Sequence, residues 1–169
     1  MRHHKVLASL LLGGLCLLLL APVNTFARGK VDFTGKWKLN EEKSTLGEGR
    51  FFSALEISVK QNENSIDLER VRSGRNGETR TISETLTTDG KENVTTGENR
   101  SSTSVAMWSD DKSSLTIKTD SEFNRQGQTF NMKVTEVWTL DESGKILTIH
   151  SESISQRGER SVTMVYDLE

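Results

Sequence analysis

The sequence predicts an all-β protein: a single antiparallel, up-and-down β-barrel of about 8–10 strands behind an export signal. Three observations carry this. Helical periodicity is nearly absent beyond the first 27 residues. In its place, runs of alternating apolar and polar residues recur, each ended by a Gly, Asn or Asp cluster. The one proline, Pro22, precedes every predicted strand, so no strand loses a ladder donor to it.

The front of the chain reads as a targeting segment. Arg2, His3, His4 and Lys5 make a basic start, and Val6 to Val23 is almost wholly apolar. Pro22 breaks the run, and Thr25-Phe26-Ala27 supplies the small residue that a signal peptidase needs. Residues 1–27 are therefore predicted to be a signal peptide and 28–169 one barrel domain, secreted or periplasmic. The alternative is an uncleaved membrane anchor, because the apolar run is close to the length of a bilayer span. Cys16, the only cysteine, follows Leu15 and is followed by more apolar residues, which argues against a lipoprotein signal. Cleavage leaves no thiol, hence no disulfide, cysteine nucleophile or Cys-ligated metal.

About 142 residues remain, enough for one domain. Arg2 and Lys5 leave with the signal, so 20 basic residues face 24 acidic ones, a net charge of about −4. That balance gives no support for a nucleic-acid partner or an anionic membrane, and no integral membrane partner is implied.

The strands are read near 33–40, 54–60, 64–72, 78–88, 92–97, 102–108, 113–122, 129–140, 145–155 and 160–168. The turns between them include Asn62-Glu63-Asn64, Asp89-Gly90, Ser109-Asp110-Asp111, Ser143-Gly144 and Arg157-Gly158, each short enough for a hairpin. Neighbours should then pair antiparallel, and closure into a barrel removes the exposed edges. The one long connection, 41–53, reads as a lid, a short helix or a loop over one mouth. The Thr- and Ser-rich stretch 79–104 has few large apolar residues, which makes it the weak or open side.

Alternation assigns faces. Phe33, Gly35, Trp37 and Leu39 share one side of the first strand. Phe130, Met132, Val134, Trp138 and Leu140 share a face that Glu136 interrupts. Arg70 and Arg72 have the parity of Ile66 and Leu68, and Arg80 and Glu84 that of Ile82 and Leu86. Charges placed inward must pair, reach water or meet a ligand, since an unpaired buried charge is costly. Arg70, Arg80, Glu84 and Glu136 are therefore candidate ligand-binding residues, together with Tyr166 on the last strand. Trp108, beside the Ser109-Asp110-Asp111 turn, is a further candidate as an aromatic at a barrel mouth.

Phe33-Thr34-Gly35-Lys36-Trp37-Lys38-Leu39 resembles the Gly-x-Trp opening strand of the calycin superfamily, which covers lipocalins and fatty-acid-binding proteins. With Lys43-Ser44 following, the resemblance is nearest to small secreted bacterial lipocalin-like proteins. It implies a lipocalin-like barrel in which Gly35 and Trp37 close the base, with Arg157 or Arg160 against Trp37. The end, Thr163-Met164-Val165-Tyr166-Asp167, resembles the last strand of fatty-acid-binding proteins, whose Arg-x-Tyr pair clamps a carboxylate. Tyr166 matches the tyrosine, but Met164 stands in place of the arginine.

The parts of a catalytic site are missing. His150 is the only histidine after cleavage and reads as an exposed strand residue. One histidine and no cysteine cannot build a zinc site, and no phosphate-cradling glycine loop precedes a helix. The protein is read as a non-enzyme without cofactor or metal. A pair of distant carboxylates meeting in the fold is the catalytic arrangement that stays open. The leading function is a binding module that holds a small apolar or amphipathic ligand in the barrel. The competing readings are a filled structural or interaction barrel of the cell envelope and an outer-membrane barrel, against which the 6% aromatic content and the acidic end weigh.

Overall fold

The computed structural model describes residues 29–47, 53–74 and 77–169. The predicted signal peptide with its cleavage point after Ala27, residues 48–52 of the long connection, and Arg75-Asn76 of one turn lie outside these.

Ten strands follow the alternating runs: β1 (Gly35–Leu39), β2 (Ala54–Gln61), β3 (Ser65–Ser73), β4 (Thr79–Thr87), β5 (Asp89–Gly97), β6 (Arg100–Trp108), β7 (Ser114–Arg125), β8 (Gln128–Leu140), β9 (Ile146–Ser155) and β10 (Gly158–Leu168). They form one sheet in the order β4-β3-β2-β1-β10-β9-β8-β7-β6-β5, antiparallel throughout. Sequence neighbours pair, and β1 meets β10, so the meander curls into a nearly closed barrel. The expected up-and-down architecture is present.

One expected hairpin is not. β4 and β5 share no ladder, although a single residue, Thr88, separates them. The backbone has turned away: the Thr88 N–H donates to the Asn64 carbonyl at 2.9 Å. Gly90 takes φ +80°, where an added Cβ would meet Met107 Sδ at 2.9 Å. β5 then enters its register with β6 through an irregularity between Asp89 and Glu92. Asn93 bridges the seam with its side chain. Its Oδ1 accepts from the Thr87 N–H at 2.9 Å, and its Nδ2 donates to the Ser104 carbonyl at 3.2 Å. The seam falls within the Thr- and Ser-rich stretch 79–104.

The apolar faces meet inside. At the end of the barrel where β1 begins, Phe33 packs edge-on against Trp138 with centroids 5.8 Å apart and stacks on Trp108 at 5.7 Å. The Trp37 indole N–H donates to the Phe33 carbonyl at 2.8 Å, and its ring is buried. Gly35 lets Leu168 close over it, since a Cβ there would stand 2.6 Å from Leu168 Cδ1. The expected neighbours of Trp37 do not arrive. Register places Leu168 opposite Trp37 and Arg160 opposite Ser153. Eight residues of strand between Leu168 and Arg160 span about 26 Å, so Arg157 and Arg160 stand at the other end of the barrel.

At that other end the first part of the long connection is tied down. Thr45 pairs with Thr163, Leu46 is buried, and Ser44 Oγ accepts from the Val165 N–H at 2.9 Å.

Candidate functional site

The half of the barrel away from the tryptophans encloses a cavity of about 740 Å³. Its apolar lining comes from alternate residues of facing strands, among them Ile57, Ile82, Met132, Val134, Ile149 and Met164. The rest of the wall is hydroxyls and charges. Ser102, Thr119, Ser121, Ser151 and Ser153 line it because the inward parity of β6, β7 and β9 passes from large apolar residues near the closed end to Ser and Thr further along. A shallower groove of about 470 Å³ lies outside, over outward-pointing residues such as Lys60, Asp67 and Thr85.

Of the sequence candidates, Arg70, Arg80, Glu84, Glu136 and Tyr166 line this cavity. Trp108 does not. It ends β6 at the closed end, stacked on Phe33 with the Lys30 ammonium 5.7 Å from its ring centre. The turn beside it faces the other way because β6 runs toward the closed end.

At the floor of the cavity the charges have found each other. Arg70 and Glu136 form a two-pronged pair, Nη1–Oε1 3.0 Å and Nη2–Oε2 2.9 Å. The Trp138 indole N–H donates to Glu136 Oε2 at 3.0 Å, and the Arg70 guanidinium lies 5.4 Å from the Trp138 ring centre. Glu84 stands 3.7 Å from Arg70 Nε. Burial works to raise the Glu136 pKa, but the charge and hydrogen bonds of Arg70 and the bond from Trp138 outweigh it and hold it below the usual carboxylate value. Burial likewise works against the Arg70 cation, and Glu136 and Glu84 reverse this.

Tyr166 is committed as well. Its hydroxyl donates to the Ala54 carbonyl at 3.1 Å and lies 3.6 Å from Met164 Sδ. Burial, its main influence, pushes its pKa above the ordinary value. The methionine in the arginine's place therefore leaves no cation beside Tyr166 on its own strand.

The sequence candidates omitted Arg72 and Arg100, which also line the cavity. Parity had already turned Arg72 inward beside Arg70, and it turns Arg100 inward too, which has the parity of buried Ser104 and Ala106. Arg72 lies directly opposite Arg80 in the β3–β4 register. Burial, then the charge of Arg70, lowers its pKa from the usual arginine value.

Polar atoms at this site are left without partners. Ser53 Oγ, Arg70 Nε and Arg72 Nε are buried and make no hydrogen bond among the described residues. Buried polar groups are nearly always bonded; Arg70 Nε has the Glu84 carboxylate 3.7 Å away, which leaves Ser53 Oγ and Arg72 Nε unpartnered on the cavity wall and Trp108 Nε1 unpartnered at the closed end. No three His, Cys, Asp or Glu side chains among the described residues converge as metal ligands. His150 is exposed on the outside, with Nδ1 3.2 Å from Thr163 Oγ1.

No protein-family model matches the chain, and no curated protein matches it. Among solved structures it is similar to zebrafish ileal bile acid-binding protein complexed with cholic acid, with a TM-score of 0.50 and 14% identity over 81% of this chain and 98% of that one. At that identity the likeness is one of fold, an antiparallel up-and-down β-barrel.

Proposed function

We propose that this protein binds a small amphipathic molecule inside its barrel. The observation that carries the reading is the cavity of about 740 Å³, apolar along one wall and studded with inward charges on another. Ligand pockets are commonly of this size and pattern, apolar with a few placed polar groups. The cavity also favours this reading over a filled structural barrel. That the similar zebrafish protein was solved with cholic acid supports it at the level of shape.

Titration with the uncharged dye Nile red tests it. Saturable fluorescence enhancement is expected for the chain from Arg28 onward. Val134→Trp, which puts an indole into the cavity, is expected to weaken the dye at least tenfold while the urea midpoint stays within the range of an ordinary substitution. Dye that does not bind, or binds the variant equally well, would remove the cavity as a binding site.

The protein works outside the cytosol in this reading, because the basic start, apolar run and Thr25-Phe26-Ala27 read as a cleaved export signal. N-terminal sequencing of the exported protein is expected to begin at or near Arg28. Membrane-bound material still carrying Met1 would mean an anchor.

A further inference from the structure

We propose that the ligand carries a phosphate-type dianionic head, held by Arg72 with Arg80 and Arg100 where β3, β4 and β6 line the cavity. This rests on the binding function proposed above.

The chain as a whole is acidic, with a formal net charge of −2. Arg70, Arg72, Arg80 and Arg100 nonetheless line its cavity, with Glu84 and Glu136 among them.

Geometry sorts these arginines by partner. Arg70 is held by Glu136 at hydrogen-bond distance, with Glu84 beside it. Arg72, Arg80 and Arg100 have no carboxylate within 4.0 Å among the described residues, and Arg100 reaches only Ser121 Oγ, at 3.4 Å. Arg72 and Arg80 stand as direct cross-strand partners. Like charges in that position repel. Arg100 is near enough for its charge to oppose that of Arg72 across the β4–β5 seam. Arg72 is mostly covered, and its Nε donor has no acceptor.

Three guanidiniums offer many more donors than one carboxylate has oxygens. A phosphate monoester supplies three acceptor oxygens and up to two charges. Its apolar body would lie along Met132, Val134, Ile149 and Met164.

The experiment displaces Nile red with three ligands of one chain length: dodecyl phosphate, dodecanoate and dodecan-1-ol, at pH 8 and low salt. Dodecyl phosphate is expected to bind at least tenfold more tightly than the alcohol and more tightly than the carboxylate. Its advantage is expected to shrink as pH falls through about 6, where the phosphate loses its second charge. Arg72→Gln should cost dodecyl phosphate about tenfold, leave dodecan-1-ol unchanged, and leave the urea midpoint level or higher because a repulsion is removed. Should that variant fail to fold, exposed Arg80→Gln carries the same expectation. Equal binding of phosphate and alcohol, tighter binding of the carboxylate, or an unchanged variant would overturn the proposal while the cavity still binds the dye. Absence of dye binding would instead sink the proposed function itself.

Discussion

Glu136→Gln is expected to lower stability by about 3–5 kcal/mol, the cost of leaving one member of a buried ion pair behind. Glu136 is 8% exposed and accepts from Arg70 twice and from the Trp138 indole once. The amide can receive the indole but brings no counter-charge for Arg70, and Glu84 is 3.7 Å from a different nitrogen of that guanidinium. The double change Arg70→Met with Glu136→Leu is expected to recover most of the loss, because apolar residues of similar volume replace such pairs at little cost. Urea unfolding measures both. A stable single variant would show that Arg70 is satisfied without Glu136. The pair also sets an acid limit. The folded pKa of Glu136 lies below its unfolded value, so its stabilisation is complete at neutral pH. It is lost progressively as pH falls from the ordinary carboxylate value through the depressed folded one.

Trp37→Ala is expected to cost a similar 3–5 kcal/mol. The ring is 1% exposed, its N–H donates to Phe33, and its backbone pairs with both β2 and β10. Removing the ring empties the place where the only five-residue strand is held between two longer ones. Because its neighbours include the fully buried Phe33 and the buried Ile57 opposite it on β2, collapse can fill little of the space. An unchanged urea midpoint would show that the closed end does not depend on this indole.

Much of this was legible in the sequence because β structure writes its faces into parity. Phe130 to Leu140 alternates with Glu136 as its one charged inward position, and the structure puts Met132, Val134 and Glu136 on the cavity while Trp138 enters the core. The inward position of Arg70 and Glu136 followed from the same rule. That Glu136 would pair with an inward arginine or face a solvated cavity was expected as well; which arginine was not legible, since 66 residues separate Arg70 from Glu136 and parity says nothing about which strands face each other across a barrel. The arginine expected near Trp37 failed for a related reason: a resemblance gives a residue type, whereas register decides which end of a strand it occupies. Asp89-Gly90 looked like a hairpin turn because the local signal is the same. What sent β5 away from β4 was a bond from Thr88 to Asn64 and the closeness of Met107, neither of them local. Trp108 misled in the opposite direction, a large aromatic beside a turn that belongs to the packed end.

The seam between β4 and β5 also divides the molecule into two meanders, 35–87 and 89–168. In backbone terms, three register pairs of β1 with β10, the Thr45–Thr163 bridge and a few single bonds such as Asn40 N–H to the Val165 carbonyl join them among the described residues. Eight other ladders lie wholly within one meander or the other. Side chains that reach across add to this coupling. Phe33 against Trp108 and Trp138 does this at the closed end, and the Tyr166 hydroxyl on Ala54 does it beside the cavity. The Arg70–Glu136 pair spans the same divide with one partner in each half. A buried ion pair adds little net stability, but here it is a latch: it couples the melting of one meander to the melting of the other.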